Sequence, residues 1–140
     1  MIPHASHPQH LTALVTLLAV LHYMLTVLRA SQARRKSGLR APAVTGDDAF
    51  ERNYRVQMNT LESLPVFLVA LWFFAFSWGE FAASGVGLVW IVGRTLYMLS
   101  YVDNPDKRGQ GFALAGLALV TLVVGSLVGV VMALAANHWT

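Results

Sequence analysis

Between Phe50 and Pro65 the chain reads FERNYRVQMNTLESLP, and four of its polar side chains share one helical face. Arg52, Arg55, Asn59 and Glu62 are spaced i, i+3, i+7 and i+10, a single α-helical stripe, with Gln57 off it. A second set, Arg94, Tyr97 and Tyr101, is spaced i, i+3 and i+7. Basic groups complete the inventory: Arg34, Arg35 and Lys36, then Lys107 and Arg108. Each set also has a plainer reading. Arg55 and Glu62 can be internal glue, the two tyrosines an interfacial belt, and the clustered cations topology signals. Arg94 is the natural ion-pair partner for Glu62, because unpaired buried charges are costly. Taken together, the sets form a pocket rich in Arg, Tyr, Asn, Gln and Glu at one mouth of a helical bundle. Such a pocket suits a small anionic, peptide-like ligand beside a lipid-soluble one.

The elements that position these residues must be membrane helices. Hydrophobic residues make up 56% of the 140, and charged residues only 12%, about half the usual share of a soluble domain. Four apolar runs hold that hydrophobicity, at 11–28, 64–78, 81–100 and 111–136. About 20 helical residues cross a hydrocarbon core. The second run is too short alone, so its helix must start near Phe50 and carry the polar stripe in its first turns. The expected architecture is all-α: one four-span membrane domain over 1–140, with spans near 9–36, 48–78, 81–101 and 109–136. The first run is read as a retained span, not a cleaved signal peptide. SGLRAPAVTGDD, GE and VDNPDKRGQG supply the connections, and Asp47 or Asp48 can cap the second helix.

Nine of the ten Lys and Arg residues lie within 29–55 and 107–108. Four spans put those two loops on one side, and the positive-inside rule makes that side cytoplasmic, with both termini opposite. This placement argues against nucleic acid as a partner, despite the net charge of +3. The absence of cysteine excludes disulfides, thiolate metal sites and a cysteine nucleophile. His4, His7 and His10 are spaced by three, but Pro3 and Pro8 interrupt any helix there, and no metal is expected. His22 reads as a solitary, hydrogen-bonded core histidine. Gly125 and Gly129 form a GxxxG in the last span, a weak signal for self-association.

ERNYRVQMNTLESLP, followed by RTLYMLSY and DKRG, resembles the membrane-associated eicosanoid and glutathione metabolism family, MAPEG. The resemblance runs from about Arg29 to Arg108, and the hydropathy pattern follows it over the whole chain. It implies a four-helix subunit of a homotrimer, with glutathione as co-substrate, bent at subunit interfaces near the cytoplasmic face. By matching positions, Arg34 and Gln57 would come from one subunit. Arg55, Asn59, Glu62, Tyr97, Tyr101 and Arg108 would come from its neighbour. Arg34 and Arg55 would hold carboxylates, Glu62 the amino group, and Arg108 the sulfur. Arg35 matches a position near the second, lipophilic substrate, and Arg94 matches an arginine of the pocket. One position departs: Ser63 stands where leukotriene-forming members have Tyr.

The implied activity is glutathione transfer to a lipophilic electrophile within the bilayer, with hydroperoxide reduction as a related detoxifying chemistry. Arg108 and Arg35 are the expected catalytic residues. A thiol of pKa about 8.5 is mostly protonated at neutral pH, and a nearby guanidinium favours the reactive thiolate. Two alternatives differ in class. A non-catalytic lipid- or glutathione-binding member would bind without conjugation. A small four-span transporter would want a carboxylate near mid-span, whereas Glu62 lies near an end with two arginines. A bacterial inner membrane is favoured over endoplasmic reticulum, because the loops are compact.

Overall fold

The computed structural model describes residues 9–137. Within them the chain forms four long α-helices: α1 His10–Ser37, α2 Asp48–Trp78, α3 Glu80–Asp103 and α4 Gly109–Asn137. A 3-10 turn, Pro105–Arg108, joins α3 to α4. Each long helix is apolar and long enough to cross a membrane.

The ends are set by local chemistry. Glu80, the first residue of α3, accepts a hydrogen bond from the Leu11 backbone N–H at 3.0 Å. It therefore caps α1 from across the bundle, where Gln9 offers no side-chain cap. At the other end α1 stops at Gly38, whose φ of +73° is a left-handed cap. Arg34, Arg35 and Lys36 precede it, where cations complement the helix dipole. Asp47 caps α2 by accepting from the Phe50 N–H at 2.7 Å. The only residue between α2 and α3 is Gly79, at φ +92°, a conformation that side chains resist. Asn104 begins the next turn by accepting from the Asp106 N–H at 2.9 Å.

The core lies where the four helices meet. Phe67 stacks on Trp90 with ring centroids 4.0 Å apart, and Ala19, Leu71, Ala83 and Leu122 are fully enclosed around them. Elsewhere helices approach through small residues. A Cβ on Gly93 would collide with the Ala115 backbone, so α3 and α4 touch main chain to main chain there.

The GxxxG pair of α4 is used within the subunit. Gly125 accommodates the Phe74 ring and Gly129 the Ser77 side chain, both on α2. Trp78 Nε1 donates to the Gly125 carbonyl at 2.8 Å, and Ser126 Oγ to that of Ala70 at 2.9 Å. The motif therefore closes the α2–α4 seam within the chain and is not left free for a second copy. Apolar side chains such as Leu17, Leu21, Leu117 and Val131 are exposed on the outside, as lipid contact requires.

Replacing Gly93 by Ala should destabilise the protein by about 2 kcal/mol, because backbone cannot swing away as a side chain can. Gly116→Ala, where a Cβ meets nothing within 4 Å, should be neutral or stabilising. Thermal unfolding of the two variants in detergent checks this, and equal behaviour would contradict the close contact.

Candidate functional site

Arg94 organises the polar end of the bundle. It is only 3% exposed, in a helix of mostly apolar residues. One Nη donates to Asn59 Oδ1 at 2.8 Å and the other to Thr60 Oγ1 at 2.7 Å. The Thr60 hydroxyl donates in turn to the Val56 carbonyl at 2.8 Å, so it serves both partners. The guanidinium also lies 4.6 Å from the centroid of the Tyr97 ring. Tyr97 stacks on Tyr101, centroids 5.5 Å apart, and tilts against Phe112.

This arrangement corrects the expected Arg94–Glu62 ion pair. Among the described residues the ion pair is Lys107–Asp103, at 3.8 Å, and Glu62 is exposed without a partner. Neutral oxygens serve both Nη groups and an aromatic ring covers one face, without also desolvating a carboxylate; the Nε has no protein partner among the described residues. The geometry further orients Asn59. Arginine offers only donors, so the amide oxygen must face it, and the Asn59 NH₂ is left to point elsewhere.

Asn59 and Arg94 line a groove of about 280 Å³ between α2, α3 and α4, with Glu62, Ser63, Trp90 and Phe112. Val66 also belongs to it. The same Val66 lines a larger, almost wholly apolar groove of about 600 Å³ that continues along α2 and α4 past Val69, Phe73 and Leu127. A third groove, of about 400 Å³, gathers Glu51, Tyr54, Arg55 and Tyr101 beneath the α1–α2 loop. Arg55 and Arg108 are exposed.

The remaining residues fall elsewhere. Arg52, on the same stripe as Arg55, donates to the Val102 and Asp103 carbonyls at 3.3 and 3.2 Å and so caps the end of α3. Arg34 donates to the Ala43 carbonyl at 2.7 Å and lies 4.3 Å from the Phe50 ring centroid. Phe50 is seven residues before Gln57, so Arg34 and Gln57 belong to the same side of α2. Gln57 and Asn59 are about 200° apart around that helix. One chain therefore brings together Asn59, Glu62 and Arg94, and stacks Tyr97 on Tyr101, but leaves Arg34 and Gln57 on the other side. Arg35 is exposed at the end of α1.

Two sequence readings need revision. Thr60 was not singled out, although it holds Arg94. Its signal was weak, because a threonine inside a helix usually bonds only to its own helix. His22 is buried but not hydrogen-bonded: neither ring nitrogen has a protein partner among the described residues. His4 and His7 lie outside the described residues, and His10 begins α1.

Four apolar spans with a donor-rich site toward one end define a multi-pass helical membrane protein. The model of the MAPEG family matches residues 12–128, and the chain belongs to that family. A similar but uncharacterised protein of Synechocystis sp. is 45% identical over 118 residues, 84% of this chain and 86% of that one. Human microsomal glutathione S-transferase 2 is 38% identical over 115 residues, covering 81% and 78%. Bovine leukotriene C4 synthase is 36% identical over 119 residues, covering 85% and 79%.

Replacing Arg94 by Leu strands the Asn59 carbonyl oxygen and removes the ring contact. The expected loss is about 2 kcal/mol of stability, from an unsatisfied buried acceptor. Arg94→Lys should recover only part, because an ammonium cannot fork to both oxygens. Melting curves of the two variants test this, and an unchanged Leu variant would show that the fork is dispensable.

Proposed function

We propose that this protein is a membrane glutathione transferase that joins the glutathione thiolate to a lipophilic electrophile, and that it works as a homotrimer. The observation that carries the reading is the division of the candidate ligands between two sides of α2. Arg34 and Gln57 lie on one side, while Arg55, Asn59 and Glu62 lie on the other. A single bent tripeptide meets both groups only if a second subunit supplies one of them. The similarity to microsomal glutathione S-transferase 2 and leukotriene C4 synthase supports glutathione as that tripeptide.

In this reading Arg34 of one subunit and Arg55 of the next hold carboxylates, and Glu62 takes the α-ammonium. Asn59 presents the NH₂ that Arg94 has turned outward, making Arg94 a positioning residue. Tyr97 and Tyr101 form the aromatic wall, and Gln57 adds an amide from the far side. Arg108 stands at the sulfur. A free thiol of pKa about 8.5 is roughly 3% ionised at pH 7. A guanidinium nearby lowers such a pKa by about 1–3 units, enough to make the thiolate a major species. The thiol proton leaves to water. The sulfur lone pair then forms a C–S bond to the electrophile as its leaving group departs or its strained ring opens. With a hydroperoxide, two glutathiones would give the disulfide, the alcohol and water. The lipophilic partner reaches the sulfur along the apolar groove that shares Val66 with the polar one, and Arg35 of a neighbouring subunit assists it. Both basic loops face the cytoplasm by their charge, which is where glutathione would enter. A bacterial membrane is consistent with the cyanobacterial relative.

The test is thiolate formation on the detergent-solubilised protein, followed by ultraviolet absorbance as glutathione is added at pH 7. Wild type should show the thiolate. Arg108→Ala should lose the signal and at least about tenfold of its conjugation rate, while glutathione still raises its melting temperature. The variant's rate should keep rising with pH towards the free-thiol pKa of about 8.5, because the proton is no longer displaced by the guanidinium. Unaltered turnover in Arg108→Ala would remove Arg108 from the mechanism. Absence of glutathione binding by wild type would overturn the proposed function.

A further inference from the structure

A fourth groove, of about 640 Å³, lies between the end of α1 and the start of α2, and the transferase reading does not use it. Its lining includes Leu25, Leu28, Arg29, Gln32 and Lys36 from α1 and Asn53 from α2. We propose that this groove binds an anionic phospholipid, with the phosphate held by Arg29 and Lys36 and an acyl chain laid over Leu25 and Leu28.

The order of residues along α1 supports this occupant. Leu25, Arg29, Gln32 and Lys36 are spaced i, i+4, i+7 and i+11, one continuous stripe. Leu25 and Leu28 are 44% and 57% exposed, so the groove has a bare apolar end. Polarity changes abruptly at Arg29. That gradient matches a phospholipid, apolar along its chain and anionic at its head, whereas a soluble anion would leave the leucines uncovered.

Charge points the same way. Neither Arg29 nor Lys36 has a carboxylate partner among the described residues, where the ion pair is Lys107–Asp103. The one acid in the lining, Asp47, is committed to the Phe50 N–H and the N-terminus of α2. Gln32 and Asn53 supply neutral donors beside the cations; Asn53 spends one N–H on the Ala49 carbonyl at 2.8 Å and keeps the other. Clustered cations at the cytoplasmic end of a span are also where anionic headgroups collect.

The two cations point away from the proposed glutathione ligands of α1, since Arg34 and Arg35 lie about 140° and 120° from Arg29. The rim of the groove adjoins that site, because Asn53 lies one turn before Gln57 on α2 and Leu28 two turns before Arg35 on α1. A topology signal needs the charges alone; a lipid site needs the charges, the donors and the apolar floor in one place.

The test titrates the detergent-solubilised full-length protein with phosphatidylglycerol or phosphatidylcholine of identical acyl chains, read by native mass spectrometry. Phosphatidylglycerol should saturate at one per subunit, and phosphatidylcholine should bind at least about tenfold more weakly. Arg29→Gln with Lys36→Gln should weaken phosphatidylglycerol by about 30-fold, from the usual contribution of two basic residues near anionic lipid. Arg40→Gln with Lys107→Gln removes equal charge elsewhere and should leave it unchanged. Equal binding of the two lipids would overturn the proposal, as would equal loss in the control pair. Displacement of phosphatidylglycerol by millimolar inorganic phosphate would also overturn it, by indicating a soluble-anion site. The lipid comparison and the phosphate competition use unaltered protein, so they decide the matter even if a variant fails to fold.

Discussion

A guanidinium that is 3% exposed within a membrane bundle must draw its partners from the protein, and Arg94 does so for both Nη groups while its Nε has no protein partner among the described residues. Stranding such a charge in hydrocarbon costs several kcal/mol. The solution reaches from α3 across to α2, where Asn59 and Thr60 accept, and uses the Tyr97 ring for the remaining face. The register of α2 against α3 is fixed as a consequence. A slide of one residue would carry both oxygens away from the fork. The same bonds turn the Asn59 amide outward and hold Tyr97 for stacking on Tyr101. One arginine thus orders groups on two helices without standing at the open surface itself.

That cross-link works only because the helices are held close. Lipid offers no hydrophobic drive to press apolar helices together, so contact must come from packing and interhelical hydrogen bonds. Gly93, next to Arg94 in sequence, lets the Ala115 backbone of α4 come within touching distance. Gly125 and Gly129 do the same for α2 against α4, with Ser126 and Trp78 adding hydrogen bonds to opposing carbonyls. At the far end of the bundle, Glu80 ties α1 to the start of α3. Polar groups recur wherever the chain needs a fixed distance, and the apolar surface is left for the outside.

The sequence made some of this legible and concealed the rest. Long apolar runs betray helices because a bilayer allows few other structures. A cap at Asp47 or Asp48 was recognisable because acidic residues follow a Gly-containing loop there, and the structure uses Asp47. The extension of α2 back through its polar turns followed from the shortness of the second apolar run. What spacing cannot reveal is which neighbour a face meets. Charge matching nominated Glu62 for Arg94, but Thr60 lies one residue further into the buried face than Asn59 and accepted instead. The GxxxG looked like an exterior contact because glycine spacing says nothing about whose helix approaches. His22 was expected to find a protein partner, yet neither ring nitrogen has one among the described residues.

The division of polar residues around α2 gives the proposed assembly its physical reason. A helix has one circumference, and α2 devotes part of it to its own core through Val56, Thr60, Leu64 and Phe67. The polar residues that remain cannot converge on one point within a single subunit, because Gln57 and Asn59 diverge by about 200°. Convergence on one ligand requires a second copy of α2 turned to face the first. A closed ring of identical subunits repeats that contact without leaving an open polar surface inside the membrane. In the proposed trimer the ligand would belong to the seam, beside the headgroup region that a charged tripeptide can reach from water. In that proposal the apolar groove running from Val66 toward Leu127 would keep the same seam open to a substrate dissolved in lipid. A polar nucleophile and an apolar electrophile can share one reaction centre only near such a boundary, and the polar turns that open α2 lie at one end of its span.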